Sequence, residues 1–280
     1  MDSLVLVLVL LAALLHATWN SLVKSGSDRL VTAALLGTGS ALCGLVLLPF
    51  TSLPPPDAWF FIVLSVILHV GYFSTLVLSY KYGDLSHVYP LARGAAPLWV
   101  AGLSFVFAGE TLSALGLAAV LLISLAIFSL AHGGPATAHN RKAVGYALVT
   151  GFFIGTYTIA DGLGARAAVQ PLDYTVWLFL LNGPPLIAIA LWRRQGGIAQ
   201  ALRHTWKPGL AAGALAFTAY GLVIWAMSMT PMTYVSALCE TSVVIAALIG
   251  TRLLGEPFGP ARIAAAAAVA AGVVVLQVSG

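Results

Sequence analysis

Apolar residues in this chain come in unbroken runs, not in the narrow stripes of a soluble amphipathic helix or the alternation of a half-buried strand. The runs cover 3–23, 30–50, 58–80, 88–109, 111–131, 143–163, 173–192, 208–229, 232–253 and 260–279. About 20 apolar residues at 1.5 Å rise span the roughly 30 Å hydrocarbon core of a bilayer. The pattern therefore predicts an all-α membrane protein with ten transmembrane helices. The breaks carry turn chemistry, as in "TSLPPPD", "KYGDLS", "VQPLD" and "GEPFGP". A transmembrane barrel would show short alternating segments instead. The first run lacks a basic start and continues through Trp19 to Val23, so it is expected to be a retained helix and not a cleaved signal peptide.

The longest polar stretch, 132–142, divides the spans five and five. "YKYGDLSHVYPLARGAAPLWVAGLSFVFAGET" from Tyr80 aligns without a gap on "AMSMTPMTYVSALCETSVVIAALIGTRLLGEP" from Ala226, an offset of 146 residues. A weaker match sets "HATWN" in the first span against "IGTYT" in the sixth. The expected organisation is a five-helix repeat over 1–131, a linker over 132–142 and a second repeat over 143–280. Five is odd, so the second repeat enters the bilayer inverted. Inverted repeats place a substrate site near the midplane, between the halves.

Composition agrees with the pattern: 60% of the residues are hydrophobic and 8% charged, against about a quarter charged in soluble domains. The net charge is only +4, and no basic cluster with interleaved aromatics points to nucleic acid. The basic residues other than Arg93 lie at span ends. Eleven of them, from Lys24 to Arg262, gather at one set of ends and Arg166 alone at the other. The positive-inside rule then favours both termini outside. The two cysteines, Cys43 and Cys239, lie in apolar runs without metal-binding spacing and read as packing residues. No Walker A loop, HExxH, G-x-S-x-G or paired-carboxylate motif is present.

The 5+5 duplication, "HATWNSLVK" in the first span, "VYPLARGAAPLWVA" in the fourth, and Gly-Glu after the fourth and ninth spans (Gly109-Glu110, Gly255-Glu256) carry a resemblance. The chain resembles the EamA-type, ten-helix members of the drug/metabolite transporter superfamily over essentially its whole length. That resemblance implies a multi-pass transporter of small metabolites in the cell membrane, a bacterial inner membrane being expected, with no cofactor and no ATP. Amino-acid and other metabolite exporters are common in the family, importers exist, and the Gly-Glu glutamates, Glu110 and Glu256, match its motif.

Arg93 is the costliest residue to explain. A charge at mid-bilayer costs about 2.5–3.5 kcal/mol on insertion scales. Helical spacing puts Tyr89, Pro90, Arg93 and Pro97 on one side of the fourth span, and each proline frees a carbonyl that is tolerated where it faces protein or a water-filled cavity. The offset maps Arg93 onto Cys239 and Gly94 onto Glu240, an acid deep within the ninth span. Two readings stand: a buried ion pair without a substrate role, or two charges that line the site. In the second, Arg93 binds a carboxylate or phosphonate bidentately and Glu240 binds an amine or a proton.

Further candidates follow from shared helix faces. His16, Trp19 and Asn20 form an i, i+3, i+4 face on the first span; Tyr157 and Thr158 are their counterparts on the sixth. His69 and Tyr72, with Phe73 and Tyr80, share a face of the third span; Trp225 shares one of the eighth with Thr218, Gly221 and Ser228. Asp161, near the end of the sixth span, reads as interfacial, and Glu110 and Glu256 as capping or tethering residues. "GFFIG" (151–155) and "GLAAG" (209–213) fit GxxxG, which permits close helix approach.

The expected function is secondary transport, by alternating access, of a small polar or zwitterionic metabolite such as an amino acid, amine or aminophosphonate. Glu240 is the candidate for coupling to a proton. The expected partners are this small molecule and the lipid bilayer, the expected state is a monomer with a dimer as alternative, and no metal is expected. The main rival is an exporter of lipophilic or quaternary-ammonium cations, bound by Glu240 with Trp19 and Trp225. A membrane enzyme acting on lipid-linked substrates and a non-transporting scaffold are remoter rivals.

Overall fold

The structure, a computed structural model, describes residues 2–25, 29–83, 85–133, 140–193, 198–254 and 259–279. The described residues form eleven α-helices and no strand: α1 (Ser3–Ser25), α2 (Arg29–Leu47), α3 (Pro56–Tyr82), α4 (Leu85–Ala108), α5 (Ala114–Ser129), α6 (Arg141–Ala167), α7 (Pro171–Arg193), α8 (Ile198–Met229), α9 (Met232–Cys239), α10 (Thr241–Leu254) and α11 (Pro260–Ser279). Short 3₁₀ turns extend α2 and α5. The middle of the expected linker, 134–139, and the second Gly-Glu, at 255–256, lie outside the described residues.

Six helical segments among the described residues are long and apolar enough to cross a membrane: Ser3–Val23, Val31–Phe50, Pro56–Tyr82, His87–Ala108, Arg141–Ala167 and Thr205–Met229. Shorter apolar helices cover Ala114–Ser129, Met232–Ala246 and Ile263–Ser279. The bundle carries large apolar side chains outward, among them Val46, Phe60, Phe105 and Leu125. Several polar groups are buried inward, among them Ser65, Thr150, Asp161, Thr233 and Glu240. In hydrocarbon an outward apolar surface carries no desolvation cost, whereas polar groups must find partners inside.

Two boundaries differ from the hydropathy reading. The ninth run is two helices that meet at Glu240, although no proline lies there. Conversely, α4 runs unbroken through Pro90 and Pro97, and α7 through Pro184 and Pro185. The helix α8 starts ten residues before its apolar run and carries Pro208 in its interior. A polar helical turn at a membrane surface has no hydropathy signal, which is why the run alone missed it.

The helices pack in a definite pattern: α3 and α4 on α6; α1 and α2 on α8; α2 also on α7; α1 on α10; and α5 on α4 and α11. Glycine sets the closest approaches. A Cβ on Gly213 would lie 2.4 Å from the Leu36 carbonyl oxygen and 2.7 Å from the Gly39 Cα, so α2 and α8 touch backbone to backbone. The Ser40 hydroxyl donates to the Gly213 carbonyl across this contact at 2.8 Å. A Cβ on Gly151 or Gly155 would meet α4, at Ala92 and Trp99. Both GxxxG stretches are therefore packing contacts between helices of one chain.

Helix ends are tied at one end of the bundle. Glu110 follows Gly109, whose φ of 64° suits glycine. It accepts from the Met232 backbone N–H at 2.9 Å, at the start of α9, and from Arg166 at 2.6 Å. Arg166, near the end of α6, also donates to the Met227 and Thr230 carbonyls at the end of α8. The Ser113 hydroxyl, beside α5, donates to the Ser279 carbonyl that ends α11. Glu110 thus caps α9 and tethers the end of α6.

Candidate functional site

Arg93 and Glu240 meet. Arg93 Nε donates to Glu240 Oε2 at 3.1 Å, and Nη2 lies 3.1 Å from Oε1, a two-point grip on the carboxylate. The Arg93 side chain is 11% exposed and that of Glu240 is 2%. The break between α9 and α10 contributes to the arrangement. Glu240 N–H turns back to Ala237 and Leu238 carbonyls, and the Val243 N–H donates to the Glu240 carbonyl. The Cys239 carbonyl left by this turn accepts from Arg93 Nη2 at 3.5 Å, and Ser242 Oγ accepts from it at 3.3 Å. A guanidinium has five donors, and burial in hydrocarbon requires that they be used. The unwound turn supplies acceptors for Nε and Nη2, three of the five donors, from the second half of the chain.

Around this pair the expected residues divide. Arg93 lies within electrostatic range of Tyr89 and Tyr157, and His16 and Tyr72 within range of Arg93. His16 and Trp19 pack edge to face at 4.8 Å between ring centroids. Asn20 turns back on its own helix, its side-chain amide donating to the His16 carbonyl at 2.8 Å. Tyr157 is stacked on His69 at 4.1 Å, with Tyr72 edge-on to both. Thr158 is buried and its hydroxyl donates to the Ile154 carbonyl, so it takes part in helix packing. Trp225 packs against the apolar core, and Thr218 on the same helix is exposed. Neither joins the ring cluster.

One group was missed. Asp161 is buried among other helices: it is 0% exposed and accepts from Tyr174 Oη at 2.8 Å and Tyr220 Oη at 2.5 Å. Tyr220 is edge-on to His69 and Tyr157 and packs on Phe179, which joins Asp161 to the ring cluster. Tyr157 is within electrostatic range of Arg93, Glu240 and Asp161. The signal was available, since Asp161 lies one turn beyond Tyr157 on the same face of α6. Among the described residues no three His, Cys, Asp or Glu side chains gather as a metal ion would require.

The site is thus a nearly sealed arginine–glutamate pair flanked by histidines, tyrosines and a tryptophan, with a second buried acid behind it. It can exchange one salt bridge for contacts to a dipolar solute. Comparison with known proteins agrees with this setting. The model of the EamA-like transporter family matches residues 141–278. A crystal structure, described only as that of a protein, superposes with a TM-score of 0.75 at 16% identity, covering 99% of this chain and 96% of that one. This likeness shows the fold alone. No curated protein matches the chain. Members of the matched family are transporters, which fits a protein that is not an enzyme. On its apolar helices and its matched half, the chain is a multi-pass membrane protein that belongs to the EamA-like transporter family of the drug/metabolite transporter superfamily.

Proposed function

We propose that the protein is a ten-helix secondary transporter that moves a small polar or zwitterionic, amino-acid-like metabolite by alternating access. Its repeats would be 1–131 and 143–280, joined by the linker 132–142. The packing supports an inverted pair of repeats, with α9 and α10 together standing opposite α4. The contact of α3 with α6 is answered by that of α8 with α1, and α4 on α6 by α10 on α1. The contacts α2 with α7 and α5 with α11 lie between counterparts. The start of α9 is tied beside the end of α4, as antiparallel counterparts require.

One observation carries the reading: Arg93 and Glu240, from opposite halves, grip each other in a nearly sealed interior. In the empty protein the pair closes the site. A substrate carboxylate takes Arg93 and its amine takes Glu240, so binding exchanges one salt bridge for two and frees the halves to rock. His16, Trp19, Tyr72, Tyr89 and Tyr157 line the walls, with His69 behind Tyr157. Asn20, Thr158 and Trp225 would act by holding helix geometry. The location is a cell membrane, a bacterial inner membrane being the proposed one, with both termini outside.

Counterflow in proteoliposomes tests this, using amino acids, aminophosphonates, choline-like amines and sugars. Uptake of a zwitterion is expected, with Arg93→Ala and Glu240→Gln each lowering it at least tenfold. Normal transport by both folded variants overturns the site. A second reading, export of quaternary or lipophilic cations, is favoured by the ring cluster beside Asp161. It prevails if choline-like amines compete and compounds bearing only a carboxylate do not.

A further inference from the structure

Two acids are buried within the apolar helices, and they are held in opposite ways. Glu240 has both oxygens on a guanidinium. Asp161 has both oxygens on tyrosine hydroxyls, and among the described residues no lysine or arginine forms a salt bridge with it. It lies about 7 Å along the α6 axis from Arg166, whose guanidinium is taken by Glu110 and two carbonyls.

Five elements surround Asp161 on α6. From α3 come His69, within electrostatic range, and Ser65, whose hydroxyl acts on Asp161 as a further hydrogen-bond partner and lies 3.2 Å from the His69 Nδ1. From α7 comes Tyr174, from α8 Tyr220, and from α6 itself Tyr157. From α4 comes Arg93, which reaches Tyr157 and is bound to Glu240. From α9 comes Met232, whose sulfur would lie 2.2 Å from a Cβ on Gly162. A carboxylate within hydrocarbon and without a counter-ion is costly. With 0% exposure there is no room for an amine, and the species that relieves the charge without occupying volume is a proton.

We propose that Asp161, held by Tyr174 and Tyr220 beside His69, is a proton-binding site of the transport cycle. The carboxylate and one proton form a carboxylic acid. Its new O–H donates to one tyrosine oxygen, and that tyrosine turns its own hydrogen away. Loss of the proton to water restores both tyrosine-to-carboxylate bonds. Protonation thereby loosens one of the two bonds that tie α7 and α8 to α6 through this residue. The role in a cycle rests on the transporter reading; the protonation itself does not.

Infrared difference spectra of the purified full-length protein between acidic and alkaline buffer test it without any substrate. A protonated-carboxyl band that appears on acidification is expected in the native protein and in Glu240→Gln, and is expected to be absent from Asp161→Asn. The band is expected to shift in Tyr220→Phe, which keeps the carboxyl and removes one hydrogen-bond partner, so this variant decides the matter if Asp161→Asn does not fold. Absence of a titrating band, its loss in Glu240→Gln, or its insensitivity to Tyr220→Phe overturns the proposal. In proteoliposomes, a pH gradient is expected to drive accumulation by the native protein, and Asp161→Asn is expected to abolish that dependence on the gradient. Accumulation that persists overturns the coupling role. If no substrate is found, the transporter reading fails while the infrared result stands by itself.

Discussion

At the scale of single residues, the role proposed for the Arg93–Glu240 pair is specificity more than stability. Breaking a buried pair by removing one partner leaves an uncompensated charge and costs about 3–5 kcal/mol, whereas replacing both partners by apolar residues of similar size is often neutral. Arg93→Met and Glu240→Met are each expected to lower the thermal midpoint in detergent. The double variant is expected to recover most of that loss and still fail to bind a zwitterion. Thermal unfolding and counterflow, read side by side, separate the two roles. The pair was legible in the sequence because the 146-residue offset set a lone acid beside the counterpart of a lone base. Asp161 was legible only as a neighbour of Tyr157 on one helix face, and its burial was not, because it sits close to the end of its run and its partners are tyrosines on two other helices. Hydroxyl partners leave no charge pattern to read.

At the scale of elements, glycine contacts decide how near the helices come. Gly213→Ala would push a methyl group into the backbone of α2 and is expected to cost about 1–3 kcal/mol, as overpacking does. Gly102→Ala is the control: nothing lies within 4 Å of its Cβ position on α4, so helix propensity alone acts, with a gain of up to about 1 kcal/mol. Thermal unfolding checks both. Glu110→Ala removes the acceptor at the start of α9 together with the partner of Arg166, and a loss of about 1–2 kcal/mol is expected by the same measurement. Six of the described helices are long and apolar enough to cross a membrane, and that the described residues form apolar helices and no strand followed from hydropathy. The break at Glu240 did not, because helices usually declare a kink through proline and here the prolines sit in helices that continue. The turn coincides with contacts from another helix, the guanidinium of Arg93 on the Cys239 carbonyl and Ser242 hydroxyl, and those contacts are invisible in the local sequence.

At the scale of the whole molecule, charge placement fixes the expected orientation. In the proposed orientation the cationic ends of the helices lie on the cytoplasmic side and the ends joined by Glu110 and Arg166 on the other. Cysteines introduced at positions 2 and 279 are expected to react with a membrane-impermeant maleimide from outside intact cells; protection of both reverses the orientation. The pairing of Arg93 with Glu240 also imposes an order on biogenesis. The two residues are 147 apart in the chain, so the arginine leaves the ribosome long before its carboxylate exists. During that interval α4 carries an unneutralised cation into a site of insertion, at a cost of about 2.5–3.5 kcal/mol if it enters the bilayer alone. A nascent chain stopped after Ala131 is therefore expected to hold α4 incompletely inserted, and one long enough to include α10 to hold it fully, as glycosylation mapping of the flanking loops would record. On this account the residue proposed to receive the solute would also make the first half of the chain wait for the second.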